Sequence, residues 1–239
     1  MRLNRYLAER GYATRRGADE LITAGRVLVN GFPAVLGTKV QENDRVEVRE
    51  GRRAKKAEYA YFAFNKPRGA ITHEPGGATG KPNGSLPPEL AAVTPPLFPI
   101  GRLDKESHGL LLLTNDGRVT DRLLNPERDH EKEYVVRTKL PMRQSFKQHM
   151  EAGVMIEGYC TKPAKVRILG EHSFSILLTE GKKHQIRRMV VAMHNDVTDL
   201  KRSRILNIRL GSLKSGEGRR IEGVELEEFL SLLGLGKQS

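Results

Sequence analysis

Hydrophobic positions at the start of the chain have helical spacing and then change to a strand pattern. Apolar residues three and four positions apart predict a first helix from Leu3 to Gly11. A second helix is expected to have Thr14 as its N-cap and to end at Gly25. The next segment, RVLVNG at 26–31, predicts a short strand that enters an Asn-Gly hairpin turn. These elements indicate a small first domain over residues 1–48.

A longer domain is predicted after a charged segment. Residues 49–58 are dense in charge and lack apolar periodicity, which is typical of a linker. The aromatic run that begins at Tyr59 and the four leucines of GLLLLTNDG at 109–117 each predict a buried strand. Between them, residues 73–99 are rich in Gly and Pro and predict a long loop. The second domain is expected to span residues 59–239.

Further helices and strands follow along this second domain. Runs that alternate or are continuously apolar favour strands, and apolar residues at helical spacing favour helices. The predicted strands are 132–140 and 172–181, and the predicted helices are 118–125, 142–153 and 182–193.

The net charge of the chain indicates the kind of partner that the protein binds. The chain has 41 Lys and Arg residues against 29 Asp and Glu, a formal net charge of +12, which favours a polyanion. Nucleic acid is preferred to a membrane, because no apolar stretch approaches the roughly 20 residues of a membrane-spanning helix. The charged N-terminus lacks the apolar core of a signal peptide, and the single Cys160 excludes an internal disulfide framework. We therefore expect a cytoplasmic protein.

Basic residues concentrate in two segments. Residues 182–220 contain 11 basic and 3 acidic residues. In the first domain, the arginines expected on the polar helix faces and at the strand start are Arg2, Arg5, Arg15, Arg16 and Arg26. A solvated face is the ordinary interpretation of one charge run, but arginines without lysine among them favour phosphate contacts. Two basic surfaces suggest a clamp on one extended polyanion.

Few residues are candidates for catalysis. HEKEY at 130–134 lacks the second histidine of a zinc-binding helix, and a lone cysteine cannot anchor zinc, so we expect no metal. A Gly-x-Ser-x-Gly motif is absent as well. Asp104 remains, beside Arg102 and just before the leucine run. On residue type alone a cap, turn or ion-pair role is the better interpretation, but a carboxylate held at the mouth of a buried strand would be well aimed for chemistry.

Four segments carry a resemblance to a known family. They are FNKPRG at 64–69, FPIGRLDKESHGLLLLTNDG at 98–117, DHEKEYVV at 129–136 and GKKHQIRRM at 181–189. In this order they resemble the signature segments of the RsuA/RluB/RluE/RluF branch of bacterial RNA pseudouridine synthases. The first domain is similar to the ribosomal-protein-S-four-like RNA-binding domain of these enzymes. DHEKEY together with residues 200–221 is most similar to a member that acts on large-subunit rRNA.

The resemblance implies isomerisation of a uridine in RNA without a cofactor: the N-glycosidic bond breaks and the base is rejoined through carbon 5. Asp104 matches the essential aspartate, which attacks the anomeric carbon or takes part in a glycal route, and both routes stay open. Tyr134 matches the tyrosine that stacks on the flipped uracil and is implicated in removing the C5 proton, with a half-buried strand aromatic as the alternative. Arg187 matches the arginine that pairs with the catalytic carboxylate.

Other residues are implied to contact the RNA. Arg102 matches an arginine that helps to hold the target nucleotide out of its stack. Leu200 aligns with an apolar residue under the target base, with an ordinary core position as the alternative. Lys66, in FNKPRG, and Arg188, next to Arg187, are also expected to contact the substrate.

The expected fold is α+β, a pseudouridine synthase fold. A mixed, mainly antiparallel sheet is flanked by helices and follows a small N-terminal α/β RNA-binding domain. The expected function is pseudouridine formation at a specific uridine of 23S rRNA by a monomer, with RNA and not a membrane as the partner. The same reaction on 16S rRNA or a tRNA anticodon loop is one alternative, because surfaces outside the catalytic residues read the target. A noncatalytic RNA-binding ribosome-assembly protein is another.

Overall fold

The structure, a computed structural model, describes residues 1–10, 12–13, 15–49, 59–72, 87, 90, 92–93 and 97–236. The predicted helix end at Gly11, the predicted N-cap at Thr14, and most of the predicted linker and long loop lie outside these residues. Contacts within the chain divide it into two compact units. They are Met1–Tyr59 with Asn115–Arg118, and Ala60–Thr114 with Val119–Ser239. Where the linker begins and ends stays a prediction.

Two helices and a small sheet form the first unit. They are α1 (Leu3–Glu9), α2 (Arg15–Thr23), β1 (Val27–Val29), β2 (Phe32–Pro33) and β3 (Val46–Val48). The strands are antiparallel in the order β2-β1-β3. The predicted hairpin turn is confirmed, because Asn30 and Gly31 have φ values of 52° and 84°, the left-handed region that both central residues of a type I′ turn require. Leu3 and Leu7 of α1 meet Val27 of β1 in the core.

A nine-stranded sheet is the framework of the second unit, as far as this unit is described. Its strands are β4 (Tyr61–Lys66), β5 (Phe98–Ile100), β6 (His108–Thr114), β7 (Lys132–Thr138), β10 (Lys165–Gly170), β11 (Ser173–Leu178), β12 (Val197–Ile205), β13 (Ile208–Arg209) and β14 (Gly218–Arg220). A separate hairpin consists of β8 (Met155–Ile156) and β9 (Tyr159–Cys160). The sheet follows the path β10-β11-β7-β12-β6-β4-β14, and its one parallel pair among the described strands is β6 with β12. The predicted mixed, mainly antiparallel sheet is confirmed.

The helices after β6 are short. They are α3 (Gly117–Leu123), α4 (Phe146–Ala152), α5 (Gln185–Ala192) and α6 (Gly223–Leu232), with a 3-10 turn at Pro126–Arg128. The helix predicted over 182–193 corresponds to α5, which buries Ile186, Met189 and Val190 on one face, and these side chains join the core formed with β7, β11 and β12. In the described part of the chain, no helix has the length and apolar character needed to cross a membrane.

The neighbouring strands β4 and β6 contribute to one row of residues across the sheet. β4 is buried at all its positions, and β6 is buried at every position after His108, as both predicted strands required. A glycine is needed where β6 meets β12, because a Cβ on Gly109, with φ of +101°, would lie 2.4 Å from the Arg202 carbonyl oxygen. Direct register partners then place Lys66, Gly109, Arg202 and Tyr134 side by side across the sheet.

Two helices begin later than the apolar pattern predicts. The helix expected from Met142 begins at Phe146, because the Met142 amide donates to the carbonyl oxygen of Glu171 at 2.9 Å and keeps the chain extended. The helix expected from Lys182 begins after His184, whose φ of 51° is incompatible with a continuous right-handed helix. This second difference shapes the functional site.

Candidate active site

Asp104 lies in the loop 101–107 that leads into β6. On one side of it, Leu103 is buried and exchanges two hydrogen bonds with Thr72: the Thr72 hydroxyl donates to the Leu103 carbonyl oxygen at 2.8 Å and accepts from its amide at 3.2 Å. On the other side, the buried Ser107 donates its amide to the Asp104 carbonyl oxygen at 3.0 Å. These anchors fix the backbone and leave the Asp104 side chain 39% exposed.

Three basic side chains hold the same loop through its carbonyl groups. Lys66 Nζ donates to the Ser107 carbonyl oxygen at 2.8 Å, a buried, charge-assisted hydrogen bond. Arg68 Nε donates to the Glu106 carbonyl oxygen at 3.2 Å. Arg187 adds longer contacts, 3.4 Å to the same carbonyl oxygen and 3.5 Å to the Ser107 hydroxyl. The backbone just after Asp104 is therefore restrained by cations from two distant segments.

The Asp104 carboxylate itself pairs with His184, whose Nδ1 lies 3.1 Å from Oδ2. No Arg187 nitrogen lies within 4.0 Å of this carboxylate in the described structure, and the expected pairing of Arg187 with Asp104 stays a prediction. This separation follows from the position on α5. Arg187 is inside the helix and donates to the loop and to the Val197 carbonyl oxygen at 3.3 Å, whereas His184 precedes the helix and reaches the carboxylate.

Tyr134 lies in β7 and is half-buried against the core of the second unit. Its neighbour across the sheet is Arg202, whose neighbour in turn is Gly109 at the start of β6. Two strand spacings, roughly 10 Å, separate Tyr134 from Gly109. Tyr134 thus shares a sheet row with the point where the Asp104 loop joins the sheet, and its contact with a flipped base stays a prediction.

Two basic residues of this row are buried. Lys66 is 0% exposed and Arg202 is 4% exposed. Burial lowers the pKa of Lys66 to about 8, and the negative charges of Asp104 and Glu106 oppose this shift only in part. Arg202 donates from Nε to the Leu110 carbonyl oxygen at 2.7 Å, while its buried Nη2 has no hydrogen-bond partner among the described residues. The site therefore contains two buried cations, one of which keeps an unbonded donor.

Several residues expected to contact RNA are placed differently. Lys66 has no exposed surface and donates to the chain itself, which disfavours the expected contact with RNA. Arg188 is engaged in an ion pair with Glu157, with which an RNA contact would have to compete. Leu200 is 5% exposed within a core cluster, which favours the core alternative. Arg102 is exposed next to Asp104, and its contact with RNA stays a prediction.

The arginines of the first unit are exposed only in part. Arg2, Arg5 and Arg15 face solvent, and Arg5 forms an ion pair at 2.8 Å within α1. Arg26 is half-buried and donates to a backbone carbonyl oxygen at 3.5 Å. The side chain of Arg16 lies outside the described part of the structure.

His184 and Arg202 are site residues that the sequence did not predict. His184 was read as part of a helix, although histidine tolerates the left-handed conformation of a residue that precedes one. Arg202 follows Leu200 by two positions, so a strand over this segment places both side chains on one buried face. Throughout the described residues, no three His, Cys, Asp or Glu side chains are arranged to hold a metal ion.

Comparison with known proteins gives a family for both parts of the chain. Residues 60–192 match the model for RNA pseudouridylate synthase, and residues 1–46 match the S4 domain. The first of these ranges covers more than half of the chain.

Individual proteins match over nearly the whole length. The dual-specificity RNA pseudouridine synthase RluF of Escherichia coli (strain K12) is 37% identical over 237 residues, which cover 98% of this chain and 79% of that protein. Ribosomal large subunit pseudouridine synthase B of Bacillus subtilis (strain 168) is 35% identical over 246 aligned positions, with 100% of this chain and 99% of that protein covered.

A solved structure described as a pseudouridylate synthase agrees in fold. It superposes with a TM-score of 0.66 at 30% identity and covers 96% of this chain and 99% of its own. A match of this extent in sequence and in fold confirms the resemblance carried by the Asp104 loop and its companion segments. The chain belongs to the RNA pseudouridine synthases, isomerases that act on uridine in RNA, and begins with an S4 domain.

Proposed function

We propose that the protein converts one specific uridine of 23S rRNA to pseudouridine, with the Asp104 carboxylate as the nucleophile. The Asp104 loop carries this proposal. Its backbone is restrained by Thr72, Lys66 and Arg68, while the carboxylate stays 39% exposed. A restrained yet accessible carboxylate is what attack at one defined geometry needs.

The reaction rearranges the nucleotide without gain or loss of atoms. The bond between N1 of uracil and C1′ of ribose breaks, and a bond between C5 and C1′ forms. Asp104 adds to C1′ as the base departs with the bonding electrons, or it removes a proton from C2′ in the glycal route. The base then turns and C5 bonds to C1′; in the first route the bond between C1′ and Asp104 breaks as this bond forms, and in the glycal route Asp104 returns its proton to C2′. The C5 proton then leaves, and N1 gains a proton. No oxidant, reductant or cofactor is needed for this balance.

Tyr134 is assigned to stacking on the uracil and removing the C5 proton. The assignment rests on the sheet row that links Tyr134, through Arg202, to the start of β6. Arg102, exposed two residues before Asp104, is assigned to holding the target nucleotide out of its stack.

Arg187 is assigned a role through the loop backbone. Its contacts reach Glu106 and Ser107 and not the Asp104 carboxylate. The buried ammonium group of Lys66 interacts electrostatically with Asp104 and bonds to the loop that carries it.

The choice of 23S rRNA rests on the relatives. The Bacillus subtilis relative is named as a large-subunit enzyme. The Escherichia coli relative is named as a dual-specificity RNA enzyme, which supports a second candidate, namely an additional target such as 16S rRNA or a tRNA anticodon loop.

Mapping of pseudouridines in total RNA from cells with and without the gene tests the proposal. We expect one pseudouridine of 23S rRNA to disappear with the gene and to return with the parental copy, but not with a copy that carries Asp104→Asn. Loss of a pseudouridine from 16S rRNA or tRNA alone would show that this RNA, and not 23S rRNA, is the target. An unchanged map in all three RNA classes would contradict the proposal.

A further inference from the structure

His184 is the one described side chain that forms an ion pair with the Asp104 carboxylate. Its Nδ1 lies 3.1 Å from Oδ2, and both side chains are partly exposed, His184 to 44% and Asp104 to 39%. The contact lies at the N-terminal end of α5, where the positive end of the helix dipole favours a carboxylate. The other cations around the loop bond to carbonyl oxygens and leave the carboxylate free to rotate.

The backbone that presents His184 is held from both sides. The next residue, Gln185, is buried and donates from Nε2 to the buried Glu180 at 2.6 Å. Its Oε1 accepts from the Lys182 amide at 2.9 Å, which closes the turn around His184. The imidazole therefore projects from a fixed point, in spite of its exposure.

We infer that His184 is a positioning residue: its Nδ1–H donates to Oδ2 of Asp104 and leaves Oδ1 as the oxygen that meets the ribose. The inference rests on the proposed function and adds to it the group that decides which carboxylate oxygen reacts. Without such an anchor, rotation about the Cβ–Cγ bond of Asp104 exchanges the two oxygens and misaligns the nucleophile. Misplacement of a reacting group by about 1 Å can cost about 100-fold in rate.

The backbone at this position supplies a matched pair of variants. His184 has φ of 51°, a region that Asn and Asp adopt more readily than other residues with a side chain. His184→Asn keeps a nitrogen donor one bond beyond Cγ, as Nδ1 is. His184→Asp has the same shape but offers an acceptor and a negative charge to Asp104.

We expect single-turnover measurements with an unmodified 23S rRNA transcript to separate this pair. His184→Asn should keep a rate constant close to that of the parent, whereas His184→Asp should lose about 100-fold. KM should change little in either variant, since the anchor acts on the nucleophile. Equal rates for the two variants would overturn the inference, because Asn and Asp should be equivalent if residue 184 only stabilises the turn.

His194 provides the control at the opposite end of α5. It is exposed and has φ of 58°, so its Asn and Asp variants impose the same changes on the same kind of backbone. Both are expected to retain the parental rate constant. A loss in His194→Asp as large as that in His184→Asp would overturn the inference by showing a general effect of charge near this helix.

A measurement without turnover keeps the inference testable if His184→Asp does not fold. The 15N shifts of the His184 ring in the full-length protein report which nitrogen carries the proton when the ring is neutral. We expect the Nδ1–H tautomer in the parent and its loss in Asp104→Ala; the same tautomer in both proteins would overturn the inference. A parent that shows this tautomer but forms no pseudouridine would overturn the proposed function and leave the contact supported.

Discussion

Basic residues differ in their exposure between the two compact units. In the N-terminal unit, Arg2, Arg5 and Arg15 face solvent, where a guanidinium can meet phosphate. In the second unit, Lys66 and Arg202 are buried and donate to backbone carbonyl oxygens. A net charge of +12 therefore contains at least two populations, one that RNA can reach and one that shapes the protein.

The two populations are expected to act on different quantities. Exposed arginines should set the affinity for RNA and its dependence on salt, because each phosphate contact releases counterions. Buried cations should set the rate of the chemical step, because Lys66 holds the loop that carries Asp104 and Arg202 holds β6, the strand that follows this loop. Substitutions that remove the same charge from the two populations test this separation.

The largest effect is expected from Lys66→Met. The variant removes the hydrogen bond to the Ser107 carbonyl oxygen and loosens the Asp104 loop, so kcat should fall about 100-fold. RNA affinity and its salt dependence should stay near the parental values, as measured by filter binding at several salt concentrations. Lys105→Met, an exposed neutralisation in the same loop, is the matched control and should keep kcat. If the salt dependence of RNA binding changed as much in Lys66→Met as in Lys105→Met, the distinction between buried and exposed cations would fail.

A smaller effect is expected when Arg2, Arg5 and Arg15 are all replaced by Gln. If each arginine contacts one phosphate, the slope of log affinity against log salt should become shallower by about 2, with roughly tenfold weaker binding at moderate salt. The rate constant at saturating RNA should not change. An unaltered slope would show that these arginines do not grip phosphate.

The buried lysine should also be visible in the pH dependence of stability. Lys66 has a pKa of about 8 in the folded protein and an ordinary value of 10.5, so between these values the unfolded chain binds more protons and the free energy of unfolding rises with pH. From pH 8 to pH 9 this group should add about 1 kcal/mol. Urea unfolding of the parent and of Lys66→Met at both pH values isolates the difference, and identical increments in the two proteins would count against the burial of a charged Lys66.

The smallest effect is expected at the pair of Arg188 and Glu157. Arg188 is half-buried, so it belongs to neither the exposed nor the buried population. Glu157 is largely exposed, so Glu157→Gln should lower the free energy of unfolding by about 0.5 kcal/mol and leave kcat unchanged. A loss of several kcal/mol in urea unfolding would instead place Arg188 among the buried, structural cations.

Local patterns explain why part of the fold was predictable. The Asn-Gly turn, the leucines of β6 and the apolar face of α5 each depend on residues close in sequence. β12 was not predicted, because its charged residues Lys201, Arg202 and Arg204 hide a strand that pairs along β7 and meets β6. The burial of Arg202 depends on that pairing and on the space that Gly109 leaves.

The sequence suggests single residues for the candidate site but not their partners. Asp104, Tyr134 and Arg187 are proposed from segments that resemble the family's signature segments, and their roles stay predictions. Which side chain reaches the carboxylate depends on where α5 begins, and the left-handed conformation of His184 moves that start past the predicted position. Lys66 looked like an RNA contact because charge in a sequence carries no sign of burial.

Release of tritium from RNA that carries uridine labelled at C5 tests the central claim most directly, because C5 must lose its hydrogen when it bonds to C1′. With a 23S rRNA transcript as substrate, the parent should release label from one uridine per molecule. Asp104→Asn should release none while it binds the transcript with parental affinity. Release by Asp104→Asn at the parental rate would contradict the account, since the restrained carboxylate would then not be the nucleophile.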